Sequence, residues 1–370
     1  MKTTRVLHVT FDMRIGGTER VIRMLLDRSD ARGLESSVFC IEQPIGPWGE
    51  QLLREGISVT SFPRRPGFDL QVILAIREHL KKNRIDIVHC HQYTPWVYGA
   101  LGAMGLKTKV VFTEHGRFYP DSASFKRRFI NPVLAAMTDR ITAISKATKE
   151  ALVNFEYLKR ESIQTVYNGI SPITASANLQ STLRAKYEIN EDCILLGTIA
   201  RFDPVKNHRM MIEAFYEVAK HHPECRLVIV GDGEERSRIE ATVDRLGLAS
   251  AVILPGYISD PSPWIAAIDI FLLSSDTEGT SMTLLEAMSL AKPSVVTNVG
   301  GNPEIVLHPT TGRVSPRADA DQFAHEILRL MASNDILRKT GLAAQNRFKA
   351  YFHSSVMQSA YDDIYASIAR

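Results

Sequence analysis

Short runs of aliphatic and β-branched residues alternate with helix-period segments along the whole chain, a pattern typical of βα units around parallel sheets. The first half carries seven such runs: RVLHVT, SSVFCI, ISVTSF, IDIVHC, KVVFTE, RITAIS and IQTVYN. A polar stretch, YNGISPITASANL at 167–179, interrupts the pattern, which then restarts with CILLGTIA, RLVIVG, AVILPG, DIFLLSS and PSVVTN. At 370 residues the chain also exceeds the usual size of a single core. The sequence therefore predicts two doubly wound α/β domains joined by that stretch.

Composition is that of an ordinary soluble protein, with 45% hydrophobic and 23% charged residues. The first apolar run is too short for a secretory signal, and no run is long enough to span a bilayer. The four cysteines are widely spaced and form no C-x-x-C pair, which suits reduced core thiols. We expect a cytoplasmic protein.

Charge is unevenly distributed between the two halves. Residues 1–170 hold 25 lysines and arginines against 17 acids, whereas residues 171–370 hold 19 against 24. A basic first half fits an anionic partner, either membrane headgroups or a phosphorylated substrate, although a merely solvated basic surface is the commoner explanation.

Notable polar clusters fall directly after the predicted strands. They read MRIGGTER, HCHQ and TEHG in the first half, and ARFDPVKN, VGDGEE, PGYISD, SSDTEGTS and TNVGGNPE in the second. Doubly wound domains bind ligands beyond the carboxyl ends of their strands. We therefore expect one site in a cleft between the two domains.

Three of these clusters suit phosphate. Arg201 and Lys206 in ARFDPVKN could hold a diphosphate, unless they are merely solvated surface charges. VGDGEE places Gly231 and Gly233 around Asp232, as a turn allowing close backbone approach requires, but an ordinary βα turn has the same form.

The third cluster, MRIGGTER, resembles a phosphate-binding loop opening a helix at Gly16 and Gly17. It lacks the third glycine of a dinucleotide fingerprint, so the sequence gives no support for NAD binding.

Histidines raise the question of a metal. His89, His91, Glu114 and His115 include residue types that bind zinc. Alternation along a strand, however, turns His89 and His91 away from Cys90, and no second ligand pair has zinc spacing. We predict no metal site and assign His115 a polar role in the cleft.

The most specific cluster is SSDTEGTSMTLLEAM. Glu278 and Gly279 precede a helix that Thr280 or Ser281 can cap. Glu286 lies inside that helix among apolar residues, where a carboxylate is costly unless the fold or a ligand satisfies it. A helix acid bonded to a neighbouring cation is the simpler alternative.

Taken in order, these motifs resemble family 4 of the retaining glycosyltransferases. The resemblance rests on the GG loop at 16–17, VHCH, TEHG, AIS, YNGI, ARFDPVKN, VGDGEE, LPGYISD, and Glu278 followed by Glu286 with seven residues between. It covers nearly the whole chain and departs from many relatives only at Ala200, where they have glycine. It implies the GT-B architecture, two Rossmann-like domains facing across a cleft.

The resemblance also implies roles for individual residues. Arg201 and Lys206 would hold the donor diphosphate, met by the Gly16–Gly17 loop of the other domain. Glu286 would bind the ribose hydroxyls, and the backbone around Tyr257 and Ile258 would contact the base. Glu278 and the amides around Gly279, Thr280 and Ser281 would hold the transferred sugar. His115 would lie beside that sugar.

We accordingly expect residues 1–172 to form an acceptor-side domain and 173–351 a donor-binding domain, with a C-terminal helix over about 352–370 returning to the first. The implied activity is retaining transfer of a sugar from a nucleotide donor, UDP before GDP, to a glycan or lipid-linked acceptor in bacterial surface polysaccharide assembly. It needs no metal, no cofactor and no nucleic acid. Alternatives are an epimerase or phosphorylase on the same fold and a non-catalytic, nucleotide-sugar-binding partner subunit.

A final segment, residues 118–137, mixes bases with apolar residues. Its three bases are Lys126, Arg127 and Arg128, and its apolar residues include Phe118, Phe125, Phe129 and Ile130. This mixture is expected where a basic amphipathic element lies on anionic lipid. It could attach the chain peripherally to the inner face of the cell membrane. A partly exposed helix covering the acceptor side of the cleft is the alternative.

Overall fold

A computed structural model describes residues 3–27, 29–116, 124–174, 177–190 and 192–369. The chain forms two compact units. The first comprises residues 1–169 together with 354–370, and the second comprises residues 170–353.

The first unit is a parallel sheet of seven strands in the order β3-β2-β1-β4-β5-β6-β7. Its strands are β1 Thr4–Thr10, β2 Leu34–Cys40, β3 Val59–Ser61, β4 Ile87–His91, β5 Lys109–Glu114, β6 Arg140–Ala143 and β7 Ile163–Thr165. Its connecting helices are α1 Gly17–Leu26, α2 Gly46–Arg54, α3 Leu70–Lys82, α4 Tyr93–Ala103, α5 Arg127–Ala136 and α6 Lys146–Glu156, with 3-10 turns at Asp30–Arg32 and Arg160–Ser162.

The second unit is a parallel sheet of six strands in the order β10-β9-β8-β11-β12-β13. Its strands are β8 Leu195–Ile199, β9 Arg226–Val230, β10 Val252–Gly256, β11 Ile270–Leu273, β12 Ser294–Thr297 and β13 Arg313–Ser315. Its helices are α7 Ala177–Lys186, α8 His208–His221, α9 Arg236–Arg245, α10 Ser262–Ala267, α11 Met282–Ser289, α12 Asn302–Ile305, α13 Ala320–Met331 and α14 Asn334–Arg347. A 3-10 turn at Pro204–Lys206 and a π-helical turn at Phe348–Phe352 complete it.

The last helix, α15 Ser354–Ile368, belongs to the first unit. Its Tyr361 hydroxyl lies 3.0 Å from Thr113 Oγ1 on β5, and its Asp362 accepts a 2.7 Å hydrogen bond from Arg32. Thr113 and Arg32 lie far from α15 in sequence, so these two contacts attach the C-terminal helix to the first unit.

Each unit has its own apolar core. In the first, Trp96 of α4 stacks on Phe112 of β5 at 4.2 Å between ring centroids, and both side chains are fully buried. In the second, Phe215, Phe271 and Phe323 are fully buried. Burying side chains of this size contributes about 1.5–3 kcal/mol each. All four cysteines are buried and unpaired.

The predicted fold class, two doubly wound parallel sheets, is confirmed. The twelve predicted strands correspond to β1 to β12, whereas β13 was not predicted because its sequence, RVS, has a single apolar residue and is flanked by Gly312 and Pro316. No helix in the described part of the chain combines the length and the apolarity needed to cross a membrane.

Candidate functional site

The carboxyl edge of the second sheet collects most of the predicted site residues. Arg201 follows β8, Gly231 follows β9, Tyr257 follows β10, Glu278 follows β11 and Gly300 follows β12. Because all these strands are parallel, the loops leave the sheet on one side.

Lys206 and Glu278 form an ion pair on this edge. Lys206 Nζ donates to Glu278 Oε1 at 2.6 Å, and Ser275 Oγ donates to the same oxygen at 2.6 Å. The Glu278 side chain is 8% exposed and that of Lys206 is 25% exposed. Asp203 caps the 3-10 turn that carries Lys206 by accepting from Val205 N at 3.0 Å. Hydrogen bonds within the loop after β8 and within the loop after β11 thus fix the two members of the ion pair.

Gly300 fixes the Glu278 loop from the other side. Its φ of +48° lies in the left-handed region, and a Cβ there would lie 1.7 Å from the Glu278 carbonyl oxygen. That oxygen accepts from Gly301 N at 3.2 Å. A side chain at position 300 would therefore displace the backbone that presents Glu278.

Arg201 has a different environment from Lys206. Its side chain is 78% exposed, and its guanidinium donates to Asp203 at 2.5 Å. Each of the two cations expected to meet a diphosphate is therefore paired with an acid of its own unit.

The glycines of VGDGEE have a packing role in this structure. A Cβ at Gly231 would lie 1.9 Å from the Ala200 carbonyl oxygen, and one at Gly233 would lie 2.5 Å from the Phe202 carbonyl oxygen. Asp232 O accepts from Phe202 N at 2.8 Å. The close approach predicted from the glycines is made to the loop that carries Arg201.

Helix α11 carries the second acid of the cluster. Ser281 caps it by accepting from Leu284 N at 3.3 Å, so Ser281 rather than Thr280 is the capping residue. Glu286 is the fifth residue of the helix and is 5% exposed. Tyr257 is 65% exposed, and Ile258 packs against a small apolar cluster that includes Trp264.

In the first unit, the Gly16–Gly17 loop opens α1 at its N-terminus. A Cβ at Gly16 would lie 2.3 Å from Glu19 Oε2, so glycine admits this carboxyl group next to the loop. Burial, opposed by a backbone hydrogen bond and reinforced by Asp12, raises the pKa of Glu19 to about 7. No atom of the residues that the structure describes lies within 4 Å of a Cβ at Gly17.

Four histidines cluster at the carboxyl ends of β1, β4 and β5. His8 Nδ1 lies 3.0 Å from His91 Nε2, and His91 Nδ1 lies 2.9 Å from His115 Nε2. His89 lies beside this chain, with its Nδ1 2.7 Å from the Tyr365 hydroxyl and its Nε2 2.6 Å from Thr113 Oγ1. The sheet register sets His8 opposite His89.

Burial keeps these histidines neutral. It lowers the pKa of His115 to about 3, and burial with a further contribution from Arg32 lowers that of His8 to about 3. Burial and the neighbouring rings hold the pKa of His89 and of His91 well below the usual 6.5. A metal could use nitrogens of His8, His89 and His91, which lie within 4.8 Å of one another. Hydrogen bonds already engage both nitrogens of His89 and of His91.

Two family models cover most of the chain. Residues 15–172 match the model described as Glycosyltransferase Family 4, and residues 180–347 match the model described as Glycosyl transferases group 1. The chain belongs to glycosyltransferase family 4. The resemblance seen in the sequence motifs is thereby confirmed.

Relatives with assigned names agree with this family. The chain is 29% identical over 314 residues to N-acetyl-alpha-D-glucosaminyl L-malate synthase of Bacillus anthracis, covering 82% of this chain and 81% of that protein. It is 23% identical over 350 residues to UDP-Gal:alpha-D-GlcNAc-diphosphoundecaprenol alpha-1,3-galactosyltransferase of Escherichia coli, covering 89% of each.

Solved structures share the fold of this family 4 glycosyltransferase. A glycosyltransferase from Rickettsia africae ESF-5 superposes with a TM-score of 0.90 at 19% identity and covers all of both chains. Anabaena Alr3699/HepE in complex with UDP and glucose gives a TM-score of 0.85 at 20% identity over 98% of this chain and all of that one.

One expectation about the glycosyltransferase's first unit needs correction. Arg127 was counted with Lys126 and Arg128 as a base facing lipid, but it turns inward. Its guanidinium donates a 2.6 Å hydrogen bond to the carboxylate of Glu156, whose side chain is 2% exposed. The same guanidinium lies 4.7 Å from the centroid of the Tyr93 ring. Lys126 and Arg128 remain exposed, and Phe118 lies outside the described residues.

Sequence reasoning also missed one member of the histidine cluster, His8. It was included in the first predicted strand without comment. Doubly wound sheets commonly place β1 beside β4, and His8 and His89 both alternate with core residues. Those two signals together would have pointed to the pair.

Proposed function

We propose that the chain is a retaining hexosyltransferase that moves a sugar from a UDP-sugar to a glycan or lipid-linked glycan acceptor in bacterial surface polysaccharide assembly. The observation that carries this proposal is the Lys206–Glu278 ion pair at the carboxyl edge of the second sheet, close in sequence to the N-terminus of α11. A donor brings a diphosphate for the cation and sugar hydroxyls for the acid. Each half of the pair can thus exchange its protein partner for a part of the donor.

The chemistry then follows from charge placement. The bond between the anomeric carbon and the diphosphate oxygen breaks as the bond to the acceptor oxygen forms on the same face, and the acceptor proton ends on the released diphosphate. Lys206 and Arg201 stabilise the charge that develops on the leaving group. Glu278 and the amides around Gly279, Thr280 and Ser281 orient the sugar. Glu278 already accepts two hydrogen bonds, so we assign it no nucleophilic role.

The nucleoside is assigned to the same edge. Glu286, buried in α11, would accept hydrogen bonds from the ribose hydroxyls, and the backbone at Tyr257 and Ile258 would contact the base. UDP is our choice of nucleotide because the Escherichia coli relative is named for a UDP-sugar and the Anabaena structure holds UDP.

A donor panel tests this function. The full chain is incubated with UDP- and GDP-hexoses and with glycan and lipid-linked acceptors, and products are analysed by mass spectrometry. We expect UDP and an acceptor heavier by one hexose. An isomerised donor would instead indicate an epimerase, and a sugar phosphate formed in added phosphate would indicate a phosphorylase. Nucleotide binding without any product would indicate a non-catalytic partner subunit.

We also propose that helix α5, together with Phe125 and Lys126 directly before it, contacts anionic membrane from the cytoplasmic side. Phe125, Phe129 and Val133 recur every fourth residue and are 71%, 62% and 61% exposed. Lys126 and Arg128 are exposed beside them. Each base near an anionic surface contributes about 1 kcal/mol, so two bases with apolar anchors give reversible attachment. A lipid-linked acceptor would make such attachment useful.

Sedimentation with vesicles tests this contact. The native chain should sediment with anionic vesicles and be released by salt. The Phe125→Ser/Phe129→Ser variant should lose binding, whereas Leu342→Ser, which removes an exposed leucine from α14 of the second unit, should not. Equal binding to neutral and anionic vesicles, or equal loss in both variants, would contradict the proposal.

A further inference from the structure

The Lys206 turn, residues 204–207, is bonded to the loop that leaves β11. Ser274 is the first residue after that strand and is buried, with 1% of its surface exposed. Its hydroxyl lies 2.9 Å from the Lys206 carbonyl oxygen and 3.1 Å from the Asn207 carbonyl oxygen. The single hydrogen of this hydroxyl is therefore shared between two consecutive carbonyl groups of the turn.

Asp276 and Asn207 add further bonds between the same two loops. Asp276 N donates to the Val205 carbonyl oxygen at 2.8 Å. Asn207 has a left-handed φ of +48°, and its side chain accepts from Met210 N at 3.3 Å to cap α8. Its Nδ2 donates to Asp276 Oδ1 at 3.4 Å, and Arg317 Nε donates to that oxygen at 3.1 Å. The turn and the start of α8 are thus both tied to the loop after β11.

That loop is itself anchored to the next strand. Thr297, the last residue of β12, donates from its hydroxyl to the Ser275 carbonyl oxygen at 2.6 Å. Ser275 and Thr297 are fully buried, where an unpaired polar group is costly, so these bonds fix the backbone. Ser275 also donates to Glu278. One anchored loop therefore holds Glu278 directly and holds the Lys206 turn through Ser274.

We infer that Ser274 and Asn207 are positioning residues that fix the backbone of Lys206 against the loop of Glu278, so that the ammonium group of Lys206 moves from Glu278 to a diphosphate while its backbone stays in place. Binding then orders a side chain and not a loop, and less conformational entropy is lost. The assignment of the diphosphate rests on the proposed function. The bonds between the two loops do not, because they lie within the second unit.

Ser294 offers a control of the same kind as Ser274. It is the first residue of β12, pairs with Phe271 of β11 and is fully buried. Its hydroxyl has no hydrogen-bond partner among the residues that the structure describes. Ser294→Ala therefore removes a buried hydroxyl from the same sheet, as Ser274→Ala does, but breaks no bond to the Lys206 turn.

Calorimetry with UDP on the full chain tests the inference. Ser274→Ala should weaken UDP binding by about threefold to tenfold, the range for one lost hydrogen bond. Asn207→Gly, which keeps the left-handed backbone but removes the amide, should weaken it in the same range. Ser294→Ala should change it by less than about twofold. In a Lys206→Ala background, Ser274→Ala should cost nothing more, because the residue through which it acts is gone.

Hydrogen exchange tests the loop contact without nucleotide. The amides of Lys206 and Asn207 donate to carbonyl groups three residues earlier, at 2.9 and 3.1 Å. In Ser274→Ala these amides should exchange about threefold to tenfold faster than in the native chain, while those of β8 and β11 stay unchanged. Ser294→Ala should leave the turn as in the native chain.

Three results would overturn the inference. They are equal loss of UDP affinity in Ser274→Ala and Ser294→Ala, an undiminished effect of Ser274→Ala in the Lys206→Ala background, and unchanged exchange of the turn in Ser274→Ala. Should the native chain bind neither UDP nor GDP, the proposed function fails, and the exchange result alone then decides whether Ser274 holds the Lys206 turn.

Discussion

At the residue scale, the central feature is that two acids on one short segment have different surroundings. Glu278 is bound by Lys206 and Ser275, whereas Glu286 lies one helical turn inside α11 and is 5% exposed. The spacing of residues in the sequence predicted this segment and the importance of its two acids. It could not predict the ion pair, because Lys206 lies 72 residues before Glu278 and only the shared edge of the sheet brings the two side chains together.

Separate substitutions should distinguish these two acids. Glu286→Ala should weaken binding of bare UDP by about 10 to 100 fold, the loss of hydrogen bonds to a charged group. Glu278→Ala should leave UDP affinity unchanged or higher, because Lys206 loses its competing partner, while turnover falls. Calorimetry with UDP and steady-state kinetics measure the two effects. Equal loss of UDP affinity in both variants would refute the assignments.

Charge on the leaving diphosphate gives a second prediction at this scale. Because Lys206 and Arg201 are expected to neutralise it, transfer should continue in excess EDTA at an unchanged rate. Rates are compared with and without chelator after exhaustive dialysis. Complete loss of activity that one divalent metal restores would overturn the metal-independent mechanism.

At the element scale, loops hold the site by backbone approach that only glycine permits. Gly300→Ala should destabilise the second unit by about 1–3 kcal/mol beyond the cost of a positive φ, because its Cβ meets the Glu278 carbonyl oxygen at 1.7 Å. It should also reduce turnover. Gly247 is the matched control, since its φ is +68° and none of the described residues has an atom within 4 Å of a Cβ built there.

Denaturant unfolding of the two variants measures the difference. Gly247→Ala should lose only about 1 kcal/mol and keep full activity. Identical stability and activity in Gly300→Ala and Gly247→Ala would show that the close approach at Gly300 does not hold the Glu278 loop.

Elements also show what sequence could and could not predict. Strand runs were recognisable because parallel strands are buried on both faces and read as continuous apolar segments. The sequence could not show which of the bases Lys126, Arg127 and Arg128 face solvent, because the three are equivalent in sequence. Only tertiary packing shows that Arg127 meets a buried Glu156 while its neighbours face solvent.

At the scale of the whole molecule, the two units differ in their buried histidines. The first holds His8, His89, His91 and His115 with depressed pKa values, whereas in the second only His208, among the described histidines, is lowered, to about 4. Below pH 6.5 the unfolded chain takes up protons that these folded rings refuse. Their contribution to stability is therefore present above pH 6.5 and is lost as the pH falls toward the folded values.

We expect acid to destabilise the first unit before the second. Each fully depressed histidine costs up to about 1.4 kcal/mol per pH unit below 6.5. Glu19 opposes this, because its raised pKa adds stability as the pH falls from about 7 toward 4.5, and Glu19→Gln removes that opposition. Hydrogen exchange of β4 and of β9 at pH 7.5 and 5.5 compares the units. Protection factors, corrected for the effect of pH on the intrinsic exchange rate, should fall more in β4 than in β9. An equal fall in both strands would contradict the account.

The anomeric configuration of the product tests the central claim most directly. The full chain is given an α-linked UDP-hexose and an acceptor found in the donor panel, and proton NMR follows the first product as it forms. The account predicts an α-linked product and one UDP per transferred sugar, with the rate reduced in Glu278→Ala. A β-linked first product, or α-linked product formed equally fast without Glu278, would contradict it.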